Sequence, residues 1–323
     1  MTTTPLLQVN HLKKIFTTGV LTKRQIKAVD DVSFTIFGEK PQVTALVGES
    51  GSGKSTILRT ILGLIRPTSG EILYKGKDVF ELLKKNPKNY RREVQVIFQD
   101  PYSIYNPFYK VDRVLELVIK KFNLASETNH DDLIRDSLRK VGIRPEELLG
   151  RYPHQISGGE RQRLMLARIL LIKPNLLLAD EPVSMIDASL RAIFLDILLE
   201  FKKKYNISSI YVTHDFNVAN YVADDVIVLC NGVIVEKGLI SEIISDPLHP
   251  YTKNLISSIP VPDPTDRWKD KIQLKVTDLG RRVKSQGCIY FGRCPVSCSE
   301  CSERNPMLKK VGNNREVACL QYD

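Results

Sequence analysis

Cysteine is scarce through most of this 323-residue chain: Cys230 stands alone before Cys288, and the other four, Cys294, Cys298, Cys301 and Cys319, crowd with Cys288 into the end. Long apolar runs are missing as well. No stretch approaches the roughly 18 residues of a membrane span; even RLMLARILLIKPNLLLADEP is broken by Arg168, Lys173 and Pro174. Any work at a membrane would therefore be done through partners. The start, MTTTPLLQVNHLKKIF, has no basic region followed by an apolar stretch and a small-residue cleavage site, so no secretory signal is expected and the chain should remain inside the cell. Basic-aromatic interleaving is absent too. The formal charge of +10 comes from scattered Lys and Arg, with only short runs such as FKKKY and GRRVK, which fits a solvated or membrane-proximal surface better than a nucleic-acid groove.

What is present is an ordinary globular composition, 42% apolar and 26% charged, long enough for one large domain or a standard domain with an appendage. LLQVNHLKKIF and KAVDDVSFTIF alternate loosely, like half-exposed strands of an antiparallel sheet. VTALVG reads as a buried strand, and STILRTILGLI as a helix that stops at Pro67. A helical insert is expected from about Tyr102 to Pro153, within a helical subdomain of about 100–165. Beyond it an apolar helix (RLMLARILLI), a buried strand (NLLLAD), a helix (SLRAIFLDILLEFKKKY), a strand (SSIYVTHD) and a strand pair about the CNG turn follow one another. That alternation predicts an α/β fold with a parallel sheet. The Pro-rich PLHPYTKNLISSIPVPDPTD places a boundary near Pro247, giving segments 1–246 and 247–323, the second a small cysteine-rich extension.

Three motifs carry chemistry. GESGSGKST, Gly48 to Thr56, lies between a strand and a helix and satisfies G-x4-G-K-[ST]. Gly48, Ser50, Gly51, Ser52 and Gly53 would curl backbone N–H groups around phosphates at a helix N-terminus; Lys54 would reach the terminal phosphates and Ser55 would ligate Mg²⁺, with Thr56 following. LLLADEP delivers Asp180 and Glu181 at the carboxyl end of a strand, where ligands of open α/β sheets sit. Asp180 would hold Mg²⁺ through water, and Glu181 would polarise an attacking water. ISGGERQR opens the apolar helix, with Ser157 as a candidate N-cap followed by Gly158, Gly159 and Glu160. One nucleotide does not need two such surfaces from one chain, so this one is expected to serve a nucleotide held by a second protomer.

Taken in order, GESGSGKST, IFQD with Gln99, ISGGERQR, LLLADEP, SMID with Asp187 and VTHD with His214 give the chain a close resemblance to the ATP-binding subunits of ABC transporters over residues 1 to about 245. The resemblance implies a P-loop NTPase with a RecA-like core, an N-terminal antiparallel β subdomain and a helical subdomain. It implies ATP and Mg²⁺, two such domains closing head to tail, Glu181 as catalytic base, His214 at the γ-phosphate and Gln99 sensing Mg²⁺. It also implies Asp187 at the dimer seam, Phe16 under the adenine, and the coupling helix of a membrane subunit received by PYSIYNPFYKV. The alternative for Phe16 is a packed strand residue. Two departures from the common pattern are Glu160, where many members have Gln, and SMID, where Met185 replaces Ala.

KAVDDVSF, TSGEILYKGKDV, IFQDPYSIYNP, RYPHQISGGERQR and DPLHPYTKNLISSIPVPDP narrow the resemblance to the oligopeptide/dipeptide importers, most like their F-type subunit. That implies a second, D-type ATP-binding chain, two permease subunits, an extracytoplasmic substrate-binding protein, no nucleic acid, and a place on the cytoplasmic face of a prokaryotic membrane. Peptides are the default cargo, with oligosaccharides such as β-glucosides or nickel as alternatives; a soluble ABC ATPase acting on nucleic acid or ribosomes is the rival of another class.

The spacing Cys288-x5-Cys294-x6-Cys301-x17-Cys319 matches the extension of this branch, which in some members holds a [4Fe–4S] cluster. All-thiolate ligation suits such a cluster and also a Cys₄ Zn²⁺ site. Cys294-x3-Cys298-x2-Cys301 mimics the radical-SAM spacing, but only about 20 residues follow it, against the roughly 200 of a barrel. Cys298 stands outside the four-ligand pattern and could replace Cys301. Cys230, in VIVLC, is expected to be a buried structural thiol.

Overall fold

The computed structural model describes residues 4–19, 24–100, 105–124, 129–184, 186–258, 287–312 and 314–323. Met185, residues 101–104 of the PYSIYNPFYKV segment and the Pro-rich stretch from Ile259 lie outside them.

In chain order the strands are β1 (Leu7–Thr18), β2 (Arg24–Ile36), β3 (Val43–Val47), β4 (Ser69–Tyr74), β5 (Lys77–Asp78), β6 (Val94–Ile97), β7 (Leu176–Asp180), β8 (Ser208–Thr213), β9 (Asp225–Cys230), β10 (Val233–Leu239), β11 (Lys309–Lys310) and β12 (Glu316–Val317). The helices are α1 (Lys54–Ile61), α2 (Val79–Lys85), α3 (Pro87–Glu93), α4 (Asp112–Phe122), α5 (His130–Lys140), α6 (Pro145–Leu148), α7 (Gly158–Ile172), α8 (Ala188–Tyr205), α9 (Phe216–Val222), α10 (Ile240–Ser245), α11 (Pro250–Ser257) and α12 (Glu300–Glu303). Among the described residues no helix is long and apolar enough to cross a membrane.

Two sheets organise the chain. The smaller, ordered β2-β1-β4-β5, is antiparallel, as the N-terminal alternation predicts. The larger runs β11-β12-β10-β9-β3-β8-β7-β6, and from β9 to β6 its neighbours pair in parallel. Successive strand residues point to opposite faces. In β7, Leu176 and Leu178 therefore enter the core shared with the small sheet and with Ile57, Leu58 and Ile61 of α1, while Leu177 and Ala179 enter the core shared with the helical insert. α7 packs on α4, α5 and α8 and is buried on nearly every side by Leu164, Met165, Leu166, Ile169 and Leu170, which is why its sequence shows no polar stripe. The CNG turn closes the β9–β10 hairpin, with Asn231 and Gly232 both at positive φ.

The cysteine-rich extension continues the large sheet. β12 pairs antiparallel with β10, Glu236 opposite Val317 and Lys237 opposite Glu316. Tyr290 is buried among Val47, Val228, Cys230 and Tyr251, so the extension closes a third hydrophobic core of the ATPase sheet. Beneath it, the fully buried carboxylate of Glu236 accepts hydrogen bonds from Arg315 Nη2 at 2.6 Å and Nε at 3.1 Å, and from the N–H groups of Leu248 and His249.

Candidate nucleotide site

β3 ends directly in the glycine-rich loop. A Cβ on Gly48 would stand 2.2 Å from the Leu229 carbonyl oxygen, and one on Gly53, whose φ is 104°, 2.3 Å from that of Ala28. The loop thus threads between β2 and the β9–β10 hairpin at a closeness only glycine allows. Gly53 then caps α1 without a side-chain acceptor, and no acid stands in the first turn. The orphan N–H groups and the positive end of the helix dipole are left for an anion.

Lys54 is buried with its ammonium on the loop itself, donating to the carbonyls of Gly48 at 2.6 Å and Glu49 at 2.8 Å. Burial lowers its pKa, against the opposing charges of Glu181, Asp180 and Glu49. Ser55 Oγ donates to Asp180 Oδ1 at 3.0 Å. Burial raises the Asp180 pKa, with the Ser55 hydrogen bond pulling the other way. A hydroxyl and a carboxylate so paired form an oxygen site suited to a hard cation such as Mg²⁺.

One residue on, Glu181 adopts φ 44°, a left-handed conformation rare outside glycine and held here by a hydrogen bond from its N–H to the Val212 carbonyl at 3.1 Å. Its Oε2 lies 3.3 Å from His214 Nδ1 and accepts from Gln99 Nε2 at 3.5 Å. Gln99, Glu181 and His214 follow β6, β7 and β8, so three adjacent parallel strands bring them to one sheet edge with Ser55 and Lys54. Asp215, beside His214, caps α9 by accepting from the Asn217 N–H at 2.8 Å. The arrangement can bind a triphosphate, hold a divalent cation and align a water between a carboxylate and an imidazole.

Phe16 pairs across the small sheet with Ile26 and is half-buried, with Lys14 Nζ 5.0 Å from its ring centroid. It lies outside the hydrophobic cores, which leaves a face for stacking. Ser157 caps α7 as its sequence implies: its Oγ accepts from the Glu160 N–H at 3.2 Å, and the Glu160 carboxylate accepts from the Ser157 N–H at 2.7 Å. Burial raises the Glu160 pKa, but these hydrogen bonds from Ser157 outweigh it and the net shift is downward. Glu160 is thus one half of a capping box. Gly158 and Gly159 follow, in a helix that packs on the insert rather than on α1. Asp187 is exposed at the start of α8, where its carbonyl accepts from the Arg191 N–H at 2.9 Å.

Motif spacing leaves several contacts of this site unseen. Arg293 Nη1 reaches both carboxylate oxygens of Glu49 at 3.0 Å, and Tyr251 Oη accepts from the Glu49 N–H at 2.9 Å. Glu49 is a variable position of its motif, and its partners lie some 200 residues downstream, so no local pattern marks them.

The thiols of the extension are gathered but not converged. Cys288 lies within electrostatic range of Cys294, Cys301 and Cys319, its N–H donates to the Cys301 carbonyl at 2.8 Å, and the sulfurs of Cys298 and Cys301 stand 3.4 Å apart. Burial pushes the thiols of Cys288, Cys294 and Cys319 above their ordinary pKa, as expected of neutral thiols. Among the described residues no three His, Cys, Asp or Glu side chains come together closely enough to hold a metal ion. Thiols are the donor type a soft metal takes, but among the described residues these side chains do not form a ligand shell. Cys230 is buried, and burial pushes its thiol up to about 12, in keeping with a structural role.

Known proteins resemble the chain along most of its length. Residues 29–184 match the ABC transporter family, and residues 235–301 match the oligopeptide/dipeptide transporter C-terminal region. The chain is 35% identical to the oligopeptide transport ATP-binding protein AppF of Bacillus subtilis, over 98% of this chain and 97% of that one. It is 36% identical to OppF of Salmonella typhimurium, over 93% and 89%. Among solved structures, a dimeric bacterial ABC transporter cassette superposes with a TM-score of 0.64 at 25% identity, covering 72% of this chain and 98% of that one. CbiO1 of Clostridium perfringens, part of an ABC transporter complex, superposes with a TM-score of 0.63 at 25% identity, covering 75% and 91%. The chain is an ATP-hydrolysing ATP-binding subunit of the ABC transporters, and belongs to their oligopeptide/dipeptide importer family.

Proposed function

We propose that the chain energises import of peptides by pairing with a second ATP-binding subunit, so that each of two ATP molecules lies between the glycine-rich loop of one chain and the signature Ser157–Glu160 of the other. The observation that carries this is the separation of the two anion-seeking helix starts: α1 belongs to the core under the small sheet, and α7 to the core of the helical insert. In this assignment Gly48, Ser50 to Gly53 and Thr56 cradle the phosphates, Lys54 meets the terminal ones, and Phe16 stacks on the adenine. Ser55, Asp180 and Gln99 would hold Mg²⁺, which when bound would supply positive charge against the terminal phosphates. Glu181 takes a proton from the attacking water while His214 positions it, and Asp187 lines the seam between the chains.

Exposed Phe108, Tyr109 and Leu117, on and beside α4, support docking of a membrane-embedded permease subunit here, one of two in the complex; Phe108 is 83% exposed. Isolated apolar residues need no explanation, but an aromatic pair at the edge of the insert suits a partner helix. Peptide cargo follows from the relatives, whose names specify oligopeptide transport in Bacillus subtilis and Salmonella typhimurium. The resemblance of the sequence motifs to the F-type subunit supports a different chain of the D type as partner, cargo delivered by an extracytoplasmic binding protein, and a complex at the cytoplasmic face of the membrane. In the extension, Cys288, Cys294, Cys301 and Cys319 would ligate a [4Fe–4S] cluster, whose work is to hold the extension together.

Anaerobic purification of the tagged full chain from solubilised membranes tests both parts. Two integral membrane proteins and a second ATP-binding chain should co-elute, with about four irons per extension. Recovery with nucleic acid and no membrane protein would overturn the importer assignment, and one zinc per chain, without iron, would replace the cluster.

A further inference from the structure

The phosphate-binding loop carries an acid, Glu49, close enough to Lys54 for its charge to act on that ammonium. A carboxylate in this place opposes a triphosphate approaching the same lysine. Its compensation comes from the far end of the chain. The short turn Phe291–Arg293 of the cysteine-rich extension presents Arg293, whose Nη1 stands 3.0 Å from each Glu49 oxygen. The guanidinium lies over two buried rings, 5.1 Å from the Tyr290 centroid and 5.9 Å from that of Tyr251. Tyr251 in turn accepts from the Glu49 N–H, so the side chain and backbone of Glu49 are both held from outside the loop. The same residue's carbonyl accepts from Lys54.

We propose that Arg293 is a positioning residue for ATP binding: it neutralises and fixes Glu49, and so makes nucleotide affinity depend on the docked cysteine-rich extension. The extension is then part of the nucleotide site at one remove, and whatever loosens it weakens ATP binding before it alters the chemistry at Glu181.

The test is equilibrium titration of the full-length chain with a fluorescent ATP analogue and Mg²⁺. Arg293→Ala should weaken binding roughly 10-fold, more than an exposed ion pair would give because the pair is half-buried. The double variant Glu49→Gln/Arg293→Ala should recover most of that loss, because the uncompensated charge is gone. In the assembled transporter the same substitution should raise KM for ATP much more than it lowers kcat. Unchanged affinity in Arg293→Ala overturns the proposal, and so does a double variant as weak as the single one, since removing a charge cannot rescue a lost strut. If Arg293→Ala does not fold, Arg293→Gln, which keeps the stem against the two tyrosines, carries the same comparison. The proposal rests on the triphosphate lying at Lys54. Normal binding by Lys54→Ala would refute that placement, whereas loss of binding there with unchanged affinity in Arg293→Ala refutes the Arg293 role alone.

Discussion

His214 Nδ1 lies 3.3 Å from Glu181 Oε2 and joins the ends of two adjacent parallel strands, with Gln99 on the same carboxylate oxygen. An amide at position 181 keeps the hydrogen-bonding shape and loses the proton acceptor. Glu181→Gln should therefore lower phosphate release by the assembled complex roughly 100- to 1000-fold, within the usual contribution of general-base catalysis, while ATP still binds. Phosphate release and nucleotide binding measured on one preparation check this; unchanged hydrolysis would remove Glu181 from the base role.

Arg315 and Glu236 form the buried joint between extension and ATPase sheet. Removing Arg315 leaves a fully buried carboxylate with only the N–H groups of Leu248 and His249 as donors. Arg315→Met should cost about 3–5 kcal/mol, the usual penalty for breaking a buried ion pair. Urea denaturation gives the loss, and limited proteolysis should cut the extension first. Cleavage spread evenly over the chain would argue against a local joint.

His249 is buried beside Tyr290, and its Nδ1 accepts from the Tyr251 N–H; burial lowers its pKa from 6.5 to about 4. The unfolded chain takes up this proton near pH 6.5 and the folded chain only near pH 4. Between those values the unfolded state binds more protons, so stability falls as the pH drops through that window and is fully present above it. The whole contribution is about 3 kcal/mol. His249→Asn, whose Oδ1 can accept from Tyr251, should lose about 2–3 kcal/mol less than the parent between pH 7 and pH 4, measured by denaturant titration. Equal pH dependence of the two proteins would refute the assignment.

The nucleotide motifs were legible because each is local. Lys54 and Ser55 act through a turn of a few residues, Ser157 and Glu160 through one turn of helix, and Asp180 and Glu181 through the end of a single apolar strand. Their order along the chain identifies the family. The antiparallel and parallel sheets could be expected from alternation of period two and from strands separated by helices. The docking of the extension was not legible. Placing its boundary near Pro247 marks a change in composition, yet β12 pairs with β10 across that boundary, and two short strands carry no pattern that names a partner. Nor do the cysteine spacings say whether the sulfurs converge, since spacing limits reach along the chain and not the direction of each Sγ.

By itself, then, the sequence determined the chemistry at the sheet edge, because backbone geometry within a loop or a helical turn follows from nearby residues. Only the tertiary structure decided that Gln99 and His214 share one carboxylate oxygen, that Glu236 accepts the extension, and that Arg293 answers the acid in a loop 244 positions earlier. Those pairings depend on which strands become neighbours and which side chains the three cores bury together, and such long-range choices leave no periodic trace in the chain.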